Sequence, residues 1–441
     1  MKNFRSFLRY PVILTITLLL FTYCSREAKN PLETPSHVEI KSTDGKYNFY
    51  VNGNLFELKG AGGGGNIARL HEAGGNSVRT WGANNAEQVL DTAYKYNVMV
   101  ALGLGMGQEL HGFDYNDTAA VARQFRRNIE AVETYKNHPA LLCWVVGNEL
   151  NLSPDRKNPV NPKVYDALKD IVDYVHNEDP NHPVTTTFAG VSKEQVKVAL
   201  ERCPDLDFVS LQVYGDLGRM TSMVRQAEIK IPFAITEYGP IGHWERLRTE
   251  WGREIEETSA AKASGLYDRI QKGIVADSTG LCLGGYAFLW GQKQERTPTW
   301  YGMFLKTGES TAIVDELTRY WTGQYPENRA PKVDSLKIDG KDAVDNIYTN
   351  PGATCTAKVF ASDPNGDPLS YKWVMQREVV KRSEGGAREE EPGEVEFKII
   401  SDNGGELKFI SPTEKGEYRL FSYVFDGKNT AGTANAPFYV K

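Results

Sequence analysis

Two glutamates stand where a chain of this kind can do chemistry. Leu141 to Val146 is a run of six apolar residues, LLCWVV, that stops at Gly147-Asn148-Glu149. Such a run reads as a strand buried on both faces, as parallel strands are. Pro232 to Pro240, PFAITEYGP, repeats the arrangement, with a short apolar strand ending in Glu237. Barrel enzymes keep reactive groups at the carboxyl ends of their strands. Two carboxyl groups are also what the usual cleavage of a glycosidic bond needs. One is protonated at the leaving oxygen and the other ionised beneath the sugar, roughly 5 to 5.5 Å apart when configuration is retained. In this reading Glu149 is the acid/base and Glu237 the nucleophile. Opposite duties demand different proton affinities, so Glu237 should have cationic and hydrogen-bonding neighbours that Glu149 lacks. Arg79, in Val-Arg-Thr-Trp, is the natural cation, and Tyr214, in Leu-Gln-Val-Tyr, can donate its hydroxyl to the same carboxylate. No metal or organic cofactor is implied.

The elements that would position these residues alternate along the chain. Strand signals fall at Leu58 to Ala61, Asn76 to Trp81, Val98 to Leu104, Leu141 to Gly147, Val184 to Phe188, Phe208 to Val213, Phe233 to Thr236 and Leu281 to Leu289. Helical periodicity fills the gaps: Val121, Phe125, Ile129 and Val132 share one face, as do Tyr165, Leu168, Ile171, Val172 and Val175. Eight strands with intervening helices predict an α/β fold, a (β/α)8 TIM barrel over 38–326. An open doubly wound sheet is the runner-up, disfavoured because the candidate residues end several strands rather than flank one switch point. Hairpin signals between Val38 and Lys59 predict a closure for the bottom of the barrel. Beyond Asn328 to Pro331 the pattern changes to about seven short alternating strands, which predicts a C-terminal all-β immunoglobulin-like sandwich over 330–441. Its charged insert, Lys381 to Gly393, reads as a solvated loop.

These motifs carry a family resemblance. Asn148-Glu149 after one strand, Thr236-Glu237-Tyr238-Gly239 after another, Arg79 on the second strand, and Trp290 closing Tyr-Ala-Phe-Leu-Trp on the eighth resemble the barrel of glycoside hydrolase clan A, most of all the catalytic domain of glycoside hydrolase family 2. The resemblance spans about Val38 to Tyr325. It implies that Asn148 bonds the sugar 2-hydroxyl, that Arg79 and Tyr214 support the nucleophile, and that Trp290 forms a sugar platform; Trp81 joins the substrate-binding set. Gln212 departs from the pattern, since several clan members carry His there. A barrel followed by one immunoglobulin-like module is similar in layout to the endo-β-1,3-glucanases of family 158. The C-terminal segments Asp363 to Trp373 and Tyr418 to Gly427 resemble cadherin and polycystic-kidney-disease modules.

The remaining signals bound compartment and partner. Lys2, Arg5 and Arg9 precede a short apolar run, Pro11 to Tyr23, and then Cys24, which resembles a bacterial lipoprotein signal over 1–24 with Cys24 as the lipidated residue. Residues 25–37 then form a polar tether. Ser25 resembles outer-membrane sorting, so the expectation is an exported bacterial lipoprotein on the outer membrane, facing the cell surface or the periplasm, beside other glycan-uptake proteins. A net charge of -6 excludes nucleic acid as a partner and suits a neutral or mildly polar β-linked oligo- or polysaccharide, a β-glucan by layout. Cys143, Cys203, Cys282 and Cys355 read as buried free thiols. Gly60 to Gly65 fits a dinucleotide-binding pattern in letters alone, because the next strand ends in Arg79-Thr80-Trp81 with no acid for a ribose; it reads as a flexible loop at the barrel mouth. Asp363, Asn365 and Asp367 read as a hairpin turn rather than a calcium loop. Two other readings share the cleft: a non-catalytic, lipid-anchored glycan-binding protein, and a transglycosylase.

Overall fold

The computed structural model describes residues 34–383 and 386–441, so Cys24 lies outside the described residues. Three antiparallel strands come first: β1 (Val38–Thr43), β2 (Lys46–Val51) and β3 (Asn54–Phe56). They cover the amino-terminal end of a barrel, where buried Phe49 meets Phe208 edge to face with ring centroids 5.6 Å apart. Burying a phenyl ring there removes apolar surface from water and contributes roughly 1.5–3 kcal/mol. The expected bottom closure is therefore present. The folded body already begins inside the expected tether, since buried Ser36 donates to the Leu141 carbonyl at 2.6 Å.

Eight parallel strands close the ring: β4 (Leu58–Gly62), β5 (Ser77–Arg79), β6 (Met99–Leu104), β7 (Leu141–Val146), β8 (Val184–Ala189), β9 (Phe208–Gln212), β10 (Phe233–Tyr238) and β11 (Cys282–Ala287). Each follows its predecessor in space, and β11 pairs with β4 from Gly284 opposite Leu58 to Ala287 opposite Ala61. The expected strands all appear, with shifted ends. Every residue of β7 is buried, as its unbroken apolar sequence requires. The glycines of β4 are not a flexible loop. A Cβ at Gly60 would stand 2.4 Å from the Tyr286 ring, and one at Gly62 would stand 3.1 Å from Trp81, so close packing demands glycine.

Helices surround the ring. The helix Lys163–Glu178 turns Val164, Leu168, Ile171, Val172 and Val175 inward. The helix Thr118–Tyr135 starts at Asp117, whose carboxylate accepts from the Ala119 and Ala120 amides at 3.0 Å, one side-chain oxygen satisfying two orphan donors. Its buried face holds Gln124 and Asn128 beside Val132, two polar residues that an apolar stripe does not explain.

After Asn328 the chain forms two four-stranded sheets. One holds β12 (Lys332–Ile338), β14 (Thr354–Ser362), β17 (Glu406–Ile410) and β16 (Ile399–Asp402); the other holds β13 (Ile347–Thr349), β19 (Ala431–Val440), β18 (Gly416–Phe425) and β15 (Ser370–Arg377). The eighth strand, β13, is too short to show an alternation in sequence. Asp363 Oδ1 accepts from the amides of Asn365 and Asp367, closing the expected turn. The insert is not solvated throughout. Ser383 and Glu389 are buried, and Glu389 Oε2 takes a hydrogen bond from Arg296 Nη1 of the barrel at 2.8 Å. A carboxylate and a guanidinium far apart in sequence desolvate each other here, a pairing that local composition cannot show. Arg419 Nη2 donates to the Glu254 carbonyl and Asn435 Nδ2 to Glu256 Oε2, so the sandwich is bonded firmly to the barrel. The four cysteines are buried and unbridged.

Candidate active site

β7 and β10 bring Glu149 and Glu237 to one cavity of about 760 Å³ at the carboxyl end of the barrel. Three donors surround the Glu237 carboxylate. Arg79 Nη1 and Trp81 Nε1 each reach Oε1 at 2.7 Å, and the Tyr214 hydroxyl reaches Oε2 at 2.9 Å. Arg79 has no solvent exposure and Glu237 is 6 % exposed, so the pair is desolvated and held by charge-assisted bonds. Hydrogen bonds to the charged form of a carboxyl favour that form.

Glu149 is treated in the opposite way. It follows positive-φ Gly147, its own φ is 49°, and its amide donates to Thr187 Oγ1 at 2.8 Å, which fixes the turn at the strand end. Its carboxyl receives no hydrogen bond among the described residues. Burial, and then the neighbouring charge of Glu237, push its pKa up to about 8, with Arg79 opposing. At neutral pH Glu149 therefore carries a proton, beside a carboxyl gripped by three donors. That is the division of labour that acid-assisted displacement at a sugar carbon requires.

Asn148 is oriented from both sides. Its Oδ1 accepts from Arg79 Nη2 at 2.6 Å and from Gln212 Nε2 at 2.7 Å, leaving its amide nitrogen to donate into the cavity. Gln212 thus has a defined task despite its departure from the clan pattern. Gln108 Nε2 holds the Asn148 carbonyl at 2.6 Å, and the loop carrying Gln108 is held in turn by Gln124 and Asn128, which bond Gly107 and Gly105. This explains the polar face of that helix.

Trp81 lines the cavity, and Trp290 does not. Trp290 is 1 % exposed, packs on Phe304 and Trp321, and donates from Nε1 to the Asn66 carbonyl. The chain leaves β11 at Ala287, and Phe288 takes the inward place two residues earlier, meeting Trp81 and Tyr214 edge to face. The sequence reading placed neither Phe288 nor His243 in the site; His243 lines the cavity with Trp244, Glu295 and Tyr301. Trp244, 55 % exposed, presents its ring at the rim. The signal that could have exposed Glu295 is the charged run Lys293-Gln294-Glu295-Arg296 immediately after the eighth strand.

Residues 66–243 match the glycosyl hydrolases family 2, TIM barrel domain. The barrel is glycosyl hydrolase family 2-like. Glu149 and Glu237 both fall within the matched stretch, which covers less than half of the chain. No curated protein matches the sequence. Among solved structures, the chain is similar to Bacteroides uniformis beta-glucuronidase 2 covalently bound to cyclophellitol-6-carboxylate aziridine, at 16% identity and TM-score 0.50. It is also similar to a calcium binding mutant of the same protein, at 16% identity and TM-score 0.51. In both cases 92% of this chain covers 48% of the other. The FMN-binding beta-glucuronidase from Faecalibacterium prausnitzii L2-6 matches at 12% identity and TM-score 0.50, with 92% of this chain covering 58% of that one. The chain thus spans about half the length of these relatives, and at such identities the likeness is one of fold.

Proposed function

We propose that the protein is an exported, retaining β-glycoside hydrolase that cleaves a β-linked oligo- or polysaccharide by double displacement. Glu237 attacks the anomeric carbon while protonated Glu149 donates to the leaving oxygen. Glu149, now a base, then activates the water that releases the glycosyl-enzyme. Arg79, Trp81 and Tyr214 hold the attacking oxygens, and Asn148 offers its amide to the hydroxyl beside the reacting carbon. The observation that carries this reading is the unequal treatment of two carboxyl groups in one cavity, three donors on Glu237 and a raised proton affinity on Glu149. The exposed ring of Trp244 at the rim suits a substrate longer than one sugar.

A β-glucan, β-1,3-linked by the similarity in layout to family 158, is the first substrate to try. Export with a lipid anchor at Cys24 on the outer membrane rests on the charged and apolar segments before that cysteine. The test is turnover of nitrophenyl β-glycosides and of β-1,3-glucan, β-mannan and β-galactan by wild type and by Glu237→Gln, with the anomer of the first-formed product read by NMR. A β-anomer from wild type and none from the variant is the expected outcome. Inversion would refute the double displacement, binding without turnover would support a non-catalytic glycan receptor, and longer products would show transglycosylation.

A further inference from the structure

Of the three carboxyl groups lining the cavity beyond the displacing pair, only Glu295 is buried. Glu295 lines the cavity, is 7 % exposed, and sits between Lys293 Nζ at 2.6 Å and His243 Nε2 at 3.3 Å. We propose that Glu295, flanked by Lys293 and His243, is a specificity-determining residue that accepts hydrogen bonds from the hydroxyls of a neutral sugar and excludes sugar acids. The inference rests on the hydrolase reading and narrows its substrate.

Three observations support it. First, an ionised carboxylate has about four acceptor positions, and its two protein partners leave the others available on a cavity wall. Burial pushes the Glu295 carboxyl up, but bonds from His243 and Lys293 outweigh it and keep the group below the usual carboxylate range, so it stays ionised. Second, the group is built rather than incidental. His243 is 3 % exposed and its Nδ1 has no partner, which leaves Nε2 as the nitrogen that donates to Glu295. The chain just after Glu295 is held by Glu256, which accepts from Thr297 and Thr299 of that loop and from Asn435 of the sandwich. Third, the charge balance opposes an anion. Among the described residues five carboxyl groups line the cavity against two cations, Arg156 and Lys293. The ammonium of Lys293 already faces Glu295, so an incoming sugar carboxylate would meet a like charge. A hydroxyl, which donates, meets an acceptor.

The test compares nitrophenyl β-glycosides of glucose, galactose and mannose with the β-glucuronide on wild type, and repeats the panel with Glu295→Gln. Wild type should favour its best neutral sugar by about 100-fold or more in kcat/KM, the scale on which a site built to bond a hydroxyl discriminates at the least. Glu295→Gln should lose most of that advantage. It should also move the alkaline limb of kcat/KM to lower pH, because the charge of Glu295 helps to keep the proton on Glu149. A wild type that prefers the glucuronide overturns the inference and leaves the hydrolase standing, with Lys293 as the receptor of the sugar carboxylate. A folded Glu295→Gln that keeps the wild-type preference among the sugars also overturns it. A wild type inert on the whole panel overturns the hydrolase reading and this inference with it. A wild-type preference for the glucuronide overturns the inference even if Glu295→Gln does not fold, and Glu295→Asp, which shortens the side chain and keeps its charge, then carries the comparison.

Discussion

Two strand ends, 88 residues apart in sequence, face the same cavity and receive opposite treatment. At the end of β7 the backbone turns through positive φ at Gly147 and Glu149, and the carboxyl is left half-buried with no donor among the described residues. Within β10, Glu237 remains part of the strand, fixed between a guanidinium, an indole and a phenol. Under the proposed function, the same side chain is the acid at one place and the nucleophile at the other. The difference teaches that the two environments differ through donors brought in from β5, across the barrel, and from the adjacent β9, and not through the carboxyl group itself.

Removing the better-held group should have the largest effect. Glu237→Gln is expected to lower kcat/KM by roughly 10⁴-fold or more, as loss of a covalent nucleophile does, measured on any substrate that wild type turns over. Glu149→Gln should cost roughly 10²–10⁴-fold with a poor leaving group and far less with an activated aryl group, which needs no proton. That variant also tests the electrostatics. A carboxyl whose folded pKa is raised contributes stability at acid pH that is lost as pH rises through about 8. The melting temperature of Glu149→Gln should therefore exceed that of wild type more at pH 9 than at pH 5, and equal differences would contradict the assignment.

The donors come next. Arg79→Met leaves Glu237 buried without its cation and should destabilise the fold by roughly 3–5 kcal/mol, read by chemical denaturation. Tyr214→Phe removes one bond to a charged group, worth about 1.5–3 kcal/mol, and should lower kcat roughly 10- to 100-fold while the melting temperature changes little. The smallest effect on activity belongs to Trp290→Phe. With its ring against Phe304 and Trp321, the variant should lose stability by less than the roughly 3–5 kcal/mol of a truncation to alanine and keep its KM; a KM rise would return Trp290 to the sugar site.

The contrast between legible and hidden parts follows the physics of each. Strands buried on both faces must be apolar runs, so β7 and β10 and the glutamates that end them stand out in sequence. Arg79 and Tyr214 were legible as polar residues at the ends of the strand signals that precede them. Trp290 was misplaced because two aromatic residues end the same run, and only the exit of the chain at Ala287 decides that Phe288 faces inward. Glu295 and His243 lie on separate loops, and their meeting depends on how those loops fold over the mouth. The docking of Glu389 on Arg296 joins positions 93 residues apart and reads locally as surface charge.

The claim that the unequal environments of Glu149 and Glu237 fix their roles is tested most directly by trapping. Wild type is incubated with a 2-deoxy-2-fluoro β-glycoside bearing an activated leaving group, of the neutral sugar that it cleaves best, and then digested and mapped by mass spectrometry. The account predicts a single glycosyl adduct on the peptide containing Glu237, lost in Glu237→Gln. An adduct on Glu149, or turnover of the same sugar by inversion with no adduct at all, would contradict it.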